Sequence, residues 1–267
     1  MIHLRPSDIR DLNNAIAAGK SSTIISLDLG LTKKDVALRE GKLVLQKKLY
    51  DIPTLKKEEK TCFILLDDAQ EFERIQFSGS ETGQVYGLDE TAGRPMLKVS
   101  ATPHHKWDFI KRIENDCLFG EVFDAGTGLG YTAIAAAKTA ARVITIEADP
   151  HVIEMQKMNP WSNGLTAENI DCVEGDVYEF LKTVPDNTFD AIILDGGTPR
   201  SSGDFFSLIN YVEARRSLKN TGTLYHYLPN HGITRGRDFP AEVIKRLETA
   251  GFTKIKRYTE ENYVVAQ

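Results

Sequence analysis

The chain has 267 residues, of which 41% are hydrophobic and 27% charged, enough for a sizeable core in one large domain or two smaller ones. A formal net charge of -5 gives no global basic signature for nucleic acid, although a local patch would suffice to bind it. Three scattered cysteines, Cys62, Cys117 and Cys172, fit neither a disulfide framework nor a CxxC zinc spacing and point to a reducing, cytoplasmic home.

The first dozen residues lack the apolar segment of a secretion signal, and no later run approaches the roughly 20 apolar residues of a membrane span. Residues 7–19 predict a short helix, with Ser7 as its cap, Asp8 at its positive end, Ile9, Leu12 and Ile16 on one face, and Gly19 closing it. Short β-type runs follow from 23 to 100, separated by turn signals such as Glu40-Gly41 and Ser78-Gly79-Ser80. Within them, residues 26–34 faintly resemble an ATPase phosphate loop, but without a second half they read as a hairpin. Lys56–Lys60 reads as a solvated turn. This stretch, 1–98, is expected to form a small β-rich N-terminal domain.

From 99 to 267 the pattern alternates. Strands are expected at 120–125, 142–147, 169–174, 188–194, 221–228, 252–258 and 262–266. Helices are expected at 106–117, 130–140, 150–160, 176–183, 204–218 and 239–250. Such alternation builds an α/β domain, a mostly parallel seven-stranded sheet with helices on both faces. The short turn Thr259–Glu261 makes the last strand antiparallel.

The strongest local signal lies at 121–138, EVFDAGTGLGYTAIAAAK. A strand ends at Asp124, a turn holds Gly126, Gly128 and Gly130, and an Ala-rich helix begins, aiming its free N–H groups at any bound molecule. The spacing is G-x-G-x-G, not the G-x-G-x-x-G of a dinucleotide site. A carboxylate before the glycines would repel a pyrophosphate but can serve the ammonium of a bound amino acid. Electrostatics therefore favours S-adenosylmethionine (SAM) over a dinucleotide.

Three further strand ends carry acids. Glu147, ending the second strand, can accept both hydroxyls of a ribose; Asp149 is better placed to cap the next helix. Asp176 can accept from an adenine amino group, with Val177 flanking the ring, or can simply cap its own helix. Asp195 ends the fourth strand at the carboxyl edge, where open α/β sheets bind ligands. The Gly/Ser-rich loop after it, with Arg200 and Ser201, is either a substrate-contacting loop or a plain connection.

Residues 121–195 resemble the first four motifs of class I SAM-dependent methyltransferases. From Met96 onward, GTGLGYTAIAAA, VITIEADP, MNPWS, LYHYLPN and RGRDFPAEVIKRL resemble a group of predicted archaeal, spermine-synthase-like methyltransferases of unassigned substrate. The resemblance implies SAM as cofactor and adds Thr127, Tyr131 and Ala148 to its binding set. In that group an Asp-Pro-Pro-Arg type sequence follows the fourth strand. Here Gly196-Gly197-Thr198 follow Asp195, which puts amine methylation in doubt but not cofactor binding.

The expected catalytic set is Asp195, His226 and Arg200, with His226 read either as a general base or as a wall of the cleft. Arg235 and Arg237 are candidate anion contacts or solvated loop charges, and Asn230 and His231 share that loop. Trp161 either covers the adenine or packs its helix, and His104-His105 lacks metal-ligand company. No metal is expected. The acceptor is open among RNA, protein and small molecules, no membrane partner is indicated, and a homodimer is compatible with the sequence. Two rivals stand beside methyl transfer. One is an aminopropyltransferase using decarboxylated SAM, which usually carries an extra aspartate in the glycine turn; the other is a non-catalytic SAM-binding module.

Overall fold

A computed structural model describes residues 1–66, 69, 71–100, 102–103, 107–196, 203–228 and 238–267. The chain divides into two compact units, 1–105 with 154–163, and 106–153 with 164–267. The sequence-based boundary at 98/99 did not anticipate that residues 154–163 cluster with the first unit.

In the first unit, β1 (Ile2–Leu4) leads into α1 (Pro6–Ala17). The strands β2 (Ser22–Ile25), β3 (Lys34–Arg39), β4 (Lys42–Leu45) and β5 (Lys48–Tyr50) form one antiparallel sheet. β6 (Phe63–Leu65) and β7 (Glu73–Arg74) join β1 in a second. β8 (Gln76–Ser78), β9 (Val85–Asp89), β10 (Met96–Val99) and β11 (Thr102–Pro103) make a third. Leu4, Ile9, Leu12, Val36, Leu43 and Phe63 are among the core of this unit.

Ser7 does not cap α1. Pro6 opens the helix, so the cap position falls on Arg5, whose backbone N–H donates to Asp8 Oδ2 at 3.1 Å. Ser7 instead gives both its N–H and its hydroxyl to Glu90. Residues 26–33 are the loop of the β2–β3 hairpin, which Lys34 resumes as the first residue of β3, and the loop is braced by the Ser26 hydroxyl, which accepts from Gly30 N–H at 2.6 Å. Trp161 packs within this unit: its indole N–H donates to Leu29 O at 3.0 Å and Arg94 lies over its ring.

The second unit begins with α2 (Trp107–Asp116). It continues through β12 (Glu121–Ala125), α3 (Tyr131–Ala137), β13 (Arg142–Glu147), the first half of α4 (Pro150–Lys157, whose residues from Glu154 on cluster with the first unit), β14 (Ile170–Glu174), α5 (Val177–Thr183) and β15 (Phe189–Leu194). α6 (Leu208–Ser217), β16 (Leu218–Tyr227), α7 (Phe239–Thr249), β17 (Lys256–Tyr258) and β18 (Tyr263–Ala266) complete it. Sheet order is β14-β13-β12-β15-β16-β18-β17, with β14 to β16 parallel and β18 antiparallel to both its neighbours. The seven strands and the reversed last one match the expectation.

Element ends differ from it for local reasons. α4 stops at Lys157, because Pro160 ahead disfavours helical backbone at Asn159, and a 3-10 stretch takes over at Pro160–Thr166. The expected helix 204–218 is a 3-10 turn, Gly203–Phe206, followed by α6, whose cap Ser207 accepts from Asn210 N–H at 3.2 Å. The strand expected from 252 forms only at Lys256, after Lys254 turns the backbone with φ +48°. Among the described residues no helix is long and apolar enough to cross a membrane.

The sheet is covered on both faces, so β12 and β15 carry buried apolar side chains on both. Phe123, wholly buried in β12, stacks between Phe180 at 5.2 Å and Phe189 at 5.3 Å. The next residue, Asp124, points to the opposite face by strand alternation. Removing the Phe123 ring leaves a cavity at the centre of this sheet. Phe123→Ala is expected to cost about 3–5 kcal/mol of unfolding free energy, read by denaturant titration.

Candidate functional site

Sheet order reverses between β12 and β15, and the carboxyl ends of these strands and of β13 bring the acids together. At Ala125 the chain leaves β12 and turns sharply. Gly126 and Thr127 both donate to Ile146 O, at 3.1 and 3.0 Å, so the turn is pinned to the end of β13. Gly126 has φ +84°, and a Cβ there would lie 2.5 Å from Asp195 O. Only glycine meets both demands. A Cβ at Gly128, by contrast, would enter open space, meeting nothing nearer than Gly126 O at 3.9 Å. Gly130 is the cap residue of α3, and Tyr131, buried, tilts against Trp107 at 5.6 Å.

Asp124 is fully buried. Its Oδ2 accepts from the Thr145 hydroxyl at 2.6 Å, and Thr145 meets the Thr127 hydroxyl at 2.7 Å. Its Oδ1 has no hydrogen-bond partner. Burial pushes its pKa up to about 7, against the pull of the Thr145 and Thr132 hydroxyls and with help from the nearby Glu147 charge. A buried carboxyl with an orphan oxygen is what a cationic group would relieve.

Glu147 is half-buried, and its carboxylate braces the turn: Oε2 accepts from Gly128 N–H at 2.9 Å and Oε1 from Asp149 N–H at 3.0 Å. Burial raises its pKa. A carboxylate offers about four lone-pair sites, so these amides, with the Ala148 amide that also favours the charged form, leave capacity for a further donor. Asp149 caps α4, accepting from His151 N–H at 2.9 Å. Ala148 is exposed beside it. Asp176 is exposed and caps α5 by accepting from Glu179 N–H at 3.0 Å, with Val177 half-buried behind it. Asp195, half-buried, donates its N–H to Ala125 O at 2.9 Å, and its charge raises the pKa of Tyr227, which burial has already raised.

Of the two roles read for His226, base or wall of the cleft, its surroundings fit the wall. The ring is fully buried; Nδ1–H donates to Leu194 O at 3.0 Å, and the Tyr211 hydroxyl donates to Nε2 at 2.9 Å. Phe206 stacks on it, and burial lowers its pKa to about 4. A neutral ring with both nitrogens engaged has no lone pair to offer a substrate. Arg200, Ser201, Asn230, His231, Arg235, Arg237, His104 and His105 lie outside the described residues. Thr145 and Thr132 were not singled out from the sequence. The available signal was a threonine in an otherwise apolar strand, in register with Asp124.

Residues 123–226 match a family profile described as "Methyltransferase domain". An uncharacterized protein of Methanocaldococcus jannaschii is 42% identical over 147 residues, 55% of this chain and 51% of that protein. The chain thus matches about half the length of that relative. Among solved structures, a spermidine synthase in complex with the transition-state analogue AdoDATO has a TM-score of 0.60 at 18% identity, covering 74% of this chain and 75% of that one. The spermidine synthase from Thermotoga maritima has a TM-score of 0.59 at 16% identity, covering 75% of each. At such identities the likeness is one of fold.

The buried acid gives a pH signature. With its folded pKa raised from 3.8 to about 7, the native state holds a proton that the unfolded chain releases, so Asp124 lowers stability as pH rises from 4 to 7. Asp124→Asn removes that term. Relative to wild type, the variant is expected to gain about 2–4 kcal/mol between pH 4 and 8, measured by denaturant unfolding across that range.

Proposed function

We propose that the protein is a SAM-dependent methyltransferase. The donor is held by the 126–131 turn and the acids at the ends of β12, β13 and β14, and the acceptor lies beside Asp195. The observation that carries this reading is Asp124, a buried carboxyl with an orphan oxygen beneath a glycine turn that is open above Gly128. That pairing fits an amino-acid ammonium, and the acid would oppose a pyrophosphate. Bound SAM supplies an electrophilic methyl group on a sulfonium.

The chain's own residues then have distinct tasks. Asp124, with Thr127, takes the ammonium end, and Gly126, Gly128, Gly130 and Tyr131 shape the turn around the donor. Glu147 accepts from the ribose hydroxyls while holding Gly128, with Ala148 beside it. Asp176 and Val177 take the adenine end, where the capping bond of Asp176 fixes its carboxylate. Asp195 orients the acceptor nucleophile, and Arg200 and the segments 195–204 and 226–238, read as loops from the sequence, are assigned to acceptor contacts on sequence alone. Rate acceleration in such a site comes chiefly from holding nucleophile and methyl group in line. The acceptor is RNA, protein or a small molecule, encountered in the cytoplasm.

Loss of the Glu147 carboxylate should weaken donor binding by about 2–4 kcal/mol, because its charge-assisted hydrogen bonding to the ribose disappears. Calorimetry with S-adenosylhomocysteine on Glu147→Ala checks this, with circular dichroism reporting the fold. Wild-type affinity in a folded variant removes Glu147 from the cofactor site. In the same experiment SAM should bind the wild type more tightly than its decarboxylated form. The reverse order favours the aminopropyltransferase, to which the spermidine synthase fold is equally suited.

Transfer of labelled methyl from SAM into RNA, protein or small-molecule fractions of a cell extract identifies the acceptor class. With that acceptor, Asp195→Ala should lower single-turnover methyl transfer about 100-fold while leaving S-adenosylhomocysteine affinity within a few fold. Unchanged turnover takes Asp195 out of the mechanism. A large loss of affinity makes it a donor ligand instead.

A further inference from the structure

We propose that Thr145 is a positioning residue for the donor's ammonium: its hydroxyl fixes the direction of a buried hydrogen-bond chain and leaves Asp124 Oδ1 as the unpartnered acceptor. The inference rests on the methyltransferase reading above for the identity of the ammonium, but not for the chain itself.

The direction follows from chemistry. An ionised carboxylate can only accept, so the single proton of the Thr145 hydroxyl goes to Asp124 Oδ2, at 2.6 Å. The Thr145 oxygen must then accept from Thr127, whose hydroxyl lies 2.7 Å away. The chain therefore runs Thr127 to Thr145 to Asp124. Asp124 and Thr145 are register partners across β12 and β13, so backbone pairing fixes their approach. Asp124 and Thr145 are 0% exposed and Thr127 5%, which denies water the place of any link. With Oδ2 engaged, Oδ1 has no partner at hydrogen-bond geometry, although the Thr132 hydroxyl lies near enough to the carboxyl to favour its charged form.

The same chain opposes protonation of Asp124. On β13, Glu147 raises the pKa of Asp124 and the Thr145 hydroxyl lowers it; on α3, Thr132 lowers it. On β14, Cys172 is the titratable group that feels the Asp124 charge, and its thiol is pushed up by burial first and by that charge second. On β15, the register partner of Asp124 is the uncharged Ile193. Burial outweighs the hydroxyls and brings the acid to about 7, so loss of one donor shifts its ionisation within the physiological range. A neutral Asp124 must shed its proton before it can pair with an ammonium, and that proton is charged against affinity.

Two measurements on the full-length chain test this, using Thr145→Val, which keeps shape and removes the hydroxyl, and Thr145→Ser, which restores it. In ligand-free protein, carboxyl-carbon NMR follows Asp124, its signal identified by its loss in Asp124→Asn. The midpoint should rise by about one pH unit in Thr145→Val, the scale of one lost hydrogen bond, and return in Thr145→Ser. An unshifted midpoint in folded Thr145→Val overturns the inference whatever the donor does. If Thr145→Val does not fold, Thr127→Val, which removes the far end of the chain, should give a smaller shift of the same sign, and no shift overturns the inference.

The second measurement is calorimetry with S-adenosylhomocysteine from pH 6 to 9, expressed as the ratio of variant to wild type so that the ligand's own titration cancels. Thr145→Val should bind about fivefold more weakly at pH 7 and converge with wild type by pH 9. A pH-independent ratio overturns the ammonium part even if the midpoint has shifted. A wild type that binds no S-adenosylhomocysteine overturns the donor reading and the ammonium part with it, while the NMR titration still decides whether Thr145 governs Asp124.

Discussion

Where the chain leaves β12, its backbone passes so close to the end of β15 that a single methyl group could not be inserted: a Cβ on Gly126 would sit 2.5 Å from the carbonyl oxygen of Asp195. That approach is set by the parallel pairing of the two strands at the point where sheet order reverses, and Asp195 N–H reinforces it by donating to Ala125 O. The left-handed conformation at Gly126 then throws the chain over the sheet edge, and two amides of the turn land on the carbonyl of Ile146 in β13. Three strands are thereby tied at their carboxyl ends through backbone atoms alone. The acids at those ends take their places from this knot.

Charge at this edge is arranged against the ordinary preference for solvation. Asp124 is wholly buried and Glu147 is half-buried beside it, and burial raises the pKa of both. Each is partly compensated by fixed donors: hydroxyls for Asp124, the Gly128 and Asp149 amides for Glu147. Compensation is incomplete at Asp124 Oδ1. Unsatisfied buried acceptors are rare in folded proteins because each costs on the order of 1–3 kcal/mol, and they concentrate where a ligand completes the set. His226, on β16 with β15 between it and β12, is the counter-example: also buried, but with both nitrogens satisfied by Leu194 and Tyr211, it closes the wall between β15, β16 and α6.

Much of this was legible in the sequence. Short apolar runs alternating with helical ones marked the strands and helices described in the second unit, because burial on both faces of a parallel sheet leaves near-continuous apolar strands. The glycines of GTGLG and the acids at strand ends marked the candidate site, since a tight strand-to-helix turn needs residues without side chains and ligand acids must stand at the carboxyl edge. Boundaries slipped where one residue outweighed the pattern: Pro160 shortened α4, Lys254 delayed β17, and Pro6 moved the cap of α1 away from Ser7.

By itself, then, the sequence determined the order of elements, the location of the glycine turn and the acids around it, because these depend on local periodicity and on residue types that only certain backbone conformations accept. Tertiary structure alone decided what each polar side chain does. It made His226 a wall rather than a base, made Glu147 a brace for Gly128, and placed Thr145, outwardly an ordinary β-former, between Asp124 and Thr127. The reason is physical: a side chain's protonation and hydrogen-bonding role are set by burial and by partners that strand register brings across the sheet, and neither is written in the neighbouring residues.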